Sequence, residues 1–228
     1  MSSLEAEKAL AAVTAVEEVC DGMLLGLGTG STAAYAVKSL SDRLRQGLRI
    51  TAVATSRATE TLARRLDVPL ISFQRLSSVD LTIDGADEID DCFRAIKGGG
   101  GALLREKVIA AASTRMIIIA DSSKSVAQLG KFPLPVEVVP FATNFVRTRL
   151  SELGARVTLR TLGGTAFLTD QANHILDAAL DEIARPSEIA AVIAAIPGVV
   201  EHGLFLSEID TIIIARGEKV DVRHRRQA

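Results

Sequence analysis

The chain predicts a doubly wound α/β domain on an open, mostly parallel sheet with helices on both faces, followed by a smaller α+β subdomain of ferredoxin-like type. Three observations carry this. Short apolar runs alternate with segments of helical periodicity up to about residue 130, as strand-helix-strand units do. Those runs end in glycine or polar residues, the composition found at the carboxyl ends of strands, where open α/β sheets bind ligands. Beyond that point prolines punctuate a mixture of strands and helices joined by short turns. Residues 1–130 and 208–228 therefore form one expected domain, and 131–207 the other.

Size and composition narrow the function classes. A chain of 228 residues with 48% hydrophobic content buries a substantial core. A net charge of −2 offers no concentrated basic surface for nucleic acid; the cluster Arg223-His224-Arg225-Arg226 reads as a solvated tail. Cys20 and Cys92 make neither a Cys-x-x-Cys pair nor a disulfide framework, which fits a reducing cytoplasm. Residues 1–19 lack the basic start and apolar centre of a signal peptide. No apolar run reaches membrane-spanning length, so no membrane partner is expected. With 4% aromatics and no Trp there is little to stack bases or sugars on, and recognition should be polar.

Residues 4–19 carry apolar side chains at helical spacing, closed by Asp21-Gly22. A strand over 23–27 then runs into Gly26-Leu27-Gly28-Thr29-Gly30-Ser31-Thr32, and helical periodicity resumes over 33–44. Such a turn aims free N–H groups and a positive helix end at an anion, and Thr29, Gly30, Ser31 and Thr32 suit a phosphate. The spacing Gly28-x-Gly30-x-x-Ala33 also meets the relaxed dinucleotide fingerprint. Its usual acidic partner is missing after the strand over 48–54, where Thr55-Ser56-Arg57 stands instead. Arg57 suits a 2′-phosphate, so an NADP oxidoreductase stays open; Thr55-Ser56 also reads as an N-cap for a helix over 58–66. Alternation continues over 68–72.

The richest stretch spans 83–110. A buried strand over 79–83 delivers Asp84, Gly85, Ala86 and Asp87 to a turn, and an apolar segment over 93–96 delivers Lys97 to Gly98, Gly99, Gly100 and Gly101. Four glycines in a row cost chain entropy and make sense where backbone approaches something closely. Residues 102–112 then read as a helix. At roughly 100° per residue, Arg105, Glu106 and Lys107 fan over about 200°, leaving no single solvated face. Glu106 lies between Leu103 and Ile109 and is the best candidate for a buried carboxylate, whose raised pKa would suit a proton carrier. The plain alternative makes Asp84 and Asp87 turn formers and Lys97 a strand end.

A β-branched run over 116–120 follows, ending in Asp121-Ser122-Ser123-Lys124; Lys124 is either a loop lysine or a contact for a substrate oxygen. In the second domain, helices are expected over 141–153 and from Pro186 to about Ile196. Strands are expected over 156–159, 166–169, 174–179 and 199–206. His174 and His202 show no metal-ligand spacing and read as structural, so the residues point to no metal. Residues 210–215 read as the last strand, with 219–228 trailing off.

Taken together, Gly26 to Ala33, Asp84-Gly-Ala-Asp-Glu-Ile89, Lys97-Gly-Gly-Gly-Gly-Ala-Leu-Leu-Arg-Glu-Lys107 and Pro197-Gly-Val-Val-Glu-His-Gly-Leu-Phe205 closely resemble type A ribose-5-phosphate isomerase over nearly the full length. The resemblance implies a Rossmann-like domain with a small α+β domain and a homodimer or homotetramer. It implies a cofactor-free interconversion of D-ribose 5-phosphate and D-ribulose 5-phosphate in the non-oxidative pentose phosphate pathway. Glu106 would be the general base, with substrate-binding segments at Thr29 to Thr32, Asp84 to Asp87 and Lys97 to Gly100, and a further lysine at Lys124. A non-catalytic sugar-phosphate sensor on the same sheet is the reading from a different class.

Overall fold

The computed structural model describes residues 3–225. In chain order the elements are α1 (Ser3–Glu17), β1 (Leu24–Leu27), α2 (Ser31–Arg45), β2 (Thr51–Ala54), α3 (Arg57–Arg65), β3 (Val79–Gly85), β4 (Glu88–Ile89), β5 (Ala95–Ile96), α4 (Leu103–Ala111) and β6 (Ser113–Asp121). They continue with β7 (Leu134–Val138), α5 (Thr143–Glu152), β8 (Arg156–Leu159), β9 (Thr161–Leu162), β10 (Thr165–Ala166), β11 (His174–Ala179), α6 (Pro186–Ala194), β12 (Val199–His202), β13 (Leu204–Phe205), β14 (Thr211–Arg216) and β15 (Lys219–His224). Two compact units result. The first holds residues up to Ala86, Arg105–Ser125 and Ser207 onward; the second holds Asp87–Leu104 and Val126–Leu206.

In the first unit the sheet order is β2-β1-β3-β6-β14-β15, parallel except for the edge strand β15. Its inner strands carry uninterrupted apolar runs because helices cover both faces: Ile117, Ile118 and Ile119 of β6 and Ile212, Ile213 and Ile214 of β14 are all fully buried. Alternation shows where the neighbours differ. Ala52 of β2 joins a cluster with Ala15 of α1, Val37 of α2 and Ala63 of α3, whereas the next residue, Val53, packs with Ile109 of α4. The chain winds from β1 to β2 and then returns to β3 on the other side of β1. That reversal creates a switch point between the carboxyl ends of β1 and β3, the crevice where doubly wound folds bind ligands.

The second unit is an antiparallel sheet in the order β12-β7-β11-β8, with α5 following β7 and α6 following β11. This is the β-α-β-β-α-β arrangement of ferredoxin-like folds. Val146 and Leu150 of α5 and Ile193 of α6 bury against Val136, Val138 and Leu176. A three-stranded sheet, β13-β5-β4, and the β9-β10 hairpin complete the unit.

Several elements differ from the sequence reading. β7 lies in the proline-punctuated segment before the helix expected over 141–153, where no strand is expected from the sequence. Pro135 occupies a strand position, paired with Asp177, and its carbonyl accepts the Gly203 amide at 2.8 Å. The single strand expected over 199–206 breaks at Gly203, whose two neighbours belong to different sheets. Residues 68–72 form only a bridge, Leu70 to Ala52. The strand expected over 166–169 is replaced by the short β9-β10 pairing. Residues 219–224 are a full edge strand, not a tail, and Arg223 and His224 lie in it; Arg226 falls outside the described residues.

Candidate active site

The switch point of the first unit is built by β1, β3 and the turn into α2. Asp84, at the end of β3, is fully buried, and its Oδ1 accepts the backbone amides of Thr29 at 3.0 Å and Gly85 at 2.7 Å. The glycine at 28 is needed for this packing, since a Cβ there would lie 2.1 Å from Asp84 Oδ1 and 2.5 Å from its Cα. Thr29 closes the turn from the other side. Its hydroxyl lies 2.8 Å from both Thr55 Oγ1 and Ser56 Oγ, and Thr59 Oγ1 donates to the Gly28 carbonyl at 2.8 Å. Thr29 therefore spends its hydroxyl on the β2-α3 loop, where sequence alone made it a ligand donor. The loop residues Thr55 and Ser56 act structurally, and Ser56 caps α3 by accepting the Thr59 amide at 3.0 Å. Gly30 precedes α2 and has no side chain to cap it, while Ser31 is exposed and Thr32 buried. Thr29, Asp84 and Gly85 are thus brought together, and Ala86 follows at the end of the same strand.

Glu106 sits in the first turn of α4 and is 4% exposed, while Val108, two residues on, is 44% exposed. The helix turns its carboxylate inward and a valine outward, as the angular argument required of Glu106. Its neighbours are anchored separately. Arg105 reaches the Ala54 carbonyl at 3.4 Å, and Lys107 pairs with Glu208 at 3.6 Å. Lys124 lies on a single helical turn after β6 and is half-buried. Asp121 caps that turn through the Ser123 amide at 2.9 Å, and Glu7 of α1 accepts the amides of Ser122 and Gly217, each at 2.8 Å. The Ser122 hydroxyl, followed by those two amide bonds, holds the Glu7 carboxyl below the usual carboxylate range.

In the second unit the remaining predicted residues form another group. The Asp87 amide donates to Ile96 at 2.8 Å, and Asp87 Oδ2 accepts the Gly99 amide at 2.7 Å, so the acidic turn and the glycine loop are joined. A Cβ at 99 would stand 2.5 Å from Asp87 Oδ1, which accounts for that glycine. Lys97 is 2% exposed, with its ammonium 5.3 Å from the centre of the Phe205 ring. Its amide donates to the Gly203 carbonyl at 2.9 Å. Gly98 is buried in a left-handed conformation, and Gly99 and Gly100 are exposed.

Several supporting residues carried no sequence signal. Arg160, beside β8, donates to the carbonyls of Gly98 and Gly99 and is paired with Asp177 of β11. Glu137 of β7 is fully buried, accepting Thr169 Oγ1 at 2.8 Å and Asn173 Nδ2 at 2.9 Å. Burial pushes its carboxyl above the usual range, against the opposing pull of these donors and of the Leu104 amide. These residues meet only through strand pairing, which spacing along the chain does not reveal. Phe205 and Gly203 lie in a quoted motif but had no assigned part.

Among the described residues no group of three or more His, Cys, Asp or Glu side chains is arranged to hold a metal ion, and no helix is long and apolar enough to cross a membrane. His174 Nδ1 lies 2.8 Å from Thr143 Oγ1, and His202 lies 3.7 Å from Glu201.

Residues 51–219 match the model of the family described as ribose 5-phosphate isomerase A (phosphoriboisomerase A). A ribose-5-phosphate isomerase A from Sphingopyxis alaskensis is 78% identical over 228 residues, covering 100% of both chains. Ribose 5-phosphate isomerase from Plasmodium falciparum superposes with a TM-score of 0.95 at 35% identity, covering 98% of this chain and 100% of that one. A D-ribose-5-phosphate isomerase in complex with phospho-erythronic acid superposes with a TM-score of 0.94 at 36% identity, covering 97% and 99%. The likeness runs through both units and at these identities carries more than fold, and the chain belongs to the ribose 5-phosphate isomerase A family.

Proposed function

We propose that this protein interconverts D-ribose 5-phosphate and D-ribulose 5-phosphate through an enediolate, with Glu106 as the single general base. Moving the carbonyl from C1 to C2 requires a proton to leave C2 and one to arrive at C1. One carboxylate serves both transfers on one face of the sugar. The observation that carries this reading is the burial of Glu106 at 4% exposed in a helix whose next-but-one residue is solvated. A carboxylate withdrawn from water is disfavoured as an anion and accepts a proton more readily.

The other roles follow from charge. Removing the C2 proton places negative charge on the two sugar oxygens. Lys97 and the amides of Gly98 and Gly100 supply fixed positive ends there, the Gly99 amide being held by Asp87, an effect often worth several kcal/mol. Asp84 or Asp87 assists ring opening and the proton exchange between those oxygens. The uncapped start of α2, from Gly30 to Thr32, receives the phosphate, with Lys124 as a further cation. Phosphate binding far from the reacting carbons holds the sugar in register and lowers the barrier.

The test is direct. Purified protein in chelator, given ribose 5-phosphate, should form ketose. Glu106→Gln keeps the shape and should lower turnover by about 10² to 10⁴. Retention of turnover within about tenfold removes Glu106 from the role.

A further inference from the structure

We infer that Arg160, held by Asp177, is a positioning residue that aims the amides of the glycine loop. The inference rests on the oxyanion role proposed for that loop and goes beyond it to the residue that orients it.

The geometry lies wholly within the second unit. Arg160 Nη1 donates to the Gly98 carbonyl at 2.9 Å and to the Gly99 carbonyl at 3.0 Å. The other edge of the same guanidinium is occupied by Asp177, with Nε to Oδ2 at 2.9 Å and Nη2 to Oδ1 at 2.5 Å. The side chains of this pair are only 16% and 23% exposed. The strand pairing supports the clamp. The Arg160 amide donates to Ile175 at 2.9 Å, and its carbonyl accepts the Phe167 amide at 2.9 Å.

A trans peptide is planar, with its C=O and N–H pointing in opposite directions. Anchoring the Gly98 carbonyl therefore sends the Gly99 N–H away from the guanidinium, and that amide is indeed the one bound by Asp87 at 2.7 Å. Anchoring the Gly99 carbonyl fixes the Gly100 N–H in the same manner. Two successive peptide planes of a segment with no side chains of its own are thus set by one side chain. The pair with Asp177 keeps the fork in place, since a planar guanidinium bound bidentately has little freedom left. Lysine cannot reproduce this, because a single ammonium does not span a carboxylate and two carbonyls in one plane.

Arg160→Lys and Asp177→Asn, assayed beside Glu106→Gln, test the assignment. For Arg160→Lys the expected result is a fall in kcat of about 10- to 100-fold with KM within about threefold, the pattern of a misaimed loop. Inhibition by phospho-erythronic acid, whose carboxylate stands in for the enediolate oxygens, should weaken in proportion to kcat/KM. Asp177→Asn should show the same pattern, smaller in size. A folded Arg160→Lys with wild-type kcat, a change confined to KM, or unfolding of both variants would overturn the inference. An active Glu106→Gln, or a wild type that makes no ketose, would instead sink the proposed function. The two failures are therefore distinguishable.

Discussion

Asp84 occupies the space that a side chain at Gly28 would need, so the carboxylate and the bare backbone opposite it are two halves of one contact. The same carboxylate takes the Thr29 amide at 3.0 Å and so fixes the turn that opens α2. Gly28→Ala places a methyl 2.5 Å from Asp84 Cα, a backbone atom that no rotamer change can move. Overpacking of this kind costs about 1–3 kcal/mol. A loss of roughly 2–4 °C per kcal/mol is expected in thermal unfolding, with turnover reduced as well. A variant melting within about 1 °C of wild type would contradict the contact.

Lys97→Met keeps length and apolar contact with Phe205 while removing the charge. If Lys97 stabilises charge that develops only during reaction, kcat should fall by about 10² with KM within about threefold. Steady-state kinetics on ribose 5-phosphate measures both. An increase in KM alone would make Lys97 a residue that binds substrate and transition state equally.

Glu137 makes a statement about pH and stability. Its folded pKa is raised above the ordinary 4.5, so the folded state holds the proton more tightly than the unfolded chain. Stability from the neutral carboxyl is full below 4.5 and is lost as pH rises through the folded pKa. Glu137→Gln removes that dependence. The melting temperature of the variant relative to wild type should therefore rise between pH 4.5 and neutrality. A difference that is flat or falls with pH would show that Glu137 is not the group titrating.

Much of the fold could be read in the residues. The β-branched runs of β6 and β14 marked strands buried on both faces, the Ser56 cap marked the start of α3, and the angular position of Glu106 pointed it inward. What stayed hidden depends on pairing between distant segments. Pro135 disguised β7, because proline breaks a strand pattern although its carbonyl remains able to accept the Gly203 amide. Arg160 and Asp177 meet because β8 and β11 run side by side. The Thr29 hydroxyl illustrates the same limit, since its partners Thr55 and Ser56 come from a neighbouring strand end.

The edge strand β15 has a consequence for handling the protein. Its Lys219, Asp221 and Arg223 put charge along the rim of the sheet, and it pairs in register with every residue from Thr211 to Arg216 of the apolar strand inside it. A chain trimmed back to Arg216 would present Ile212, Ile213 and Ile214 as an open template for other copies, an invitation to aggregation. Shortened expression variants and carboxyl-terminal proteolysis would then threaten solubility before chemistry.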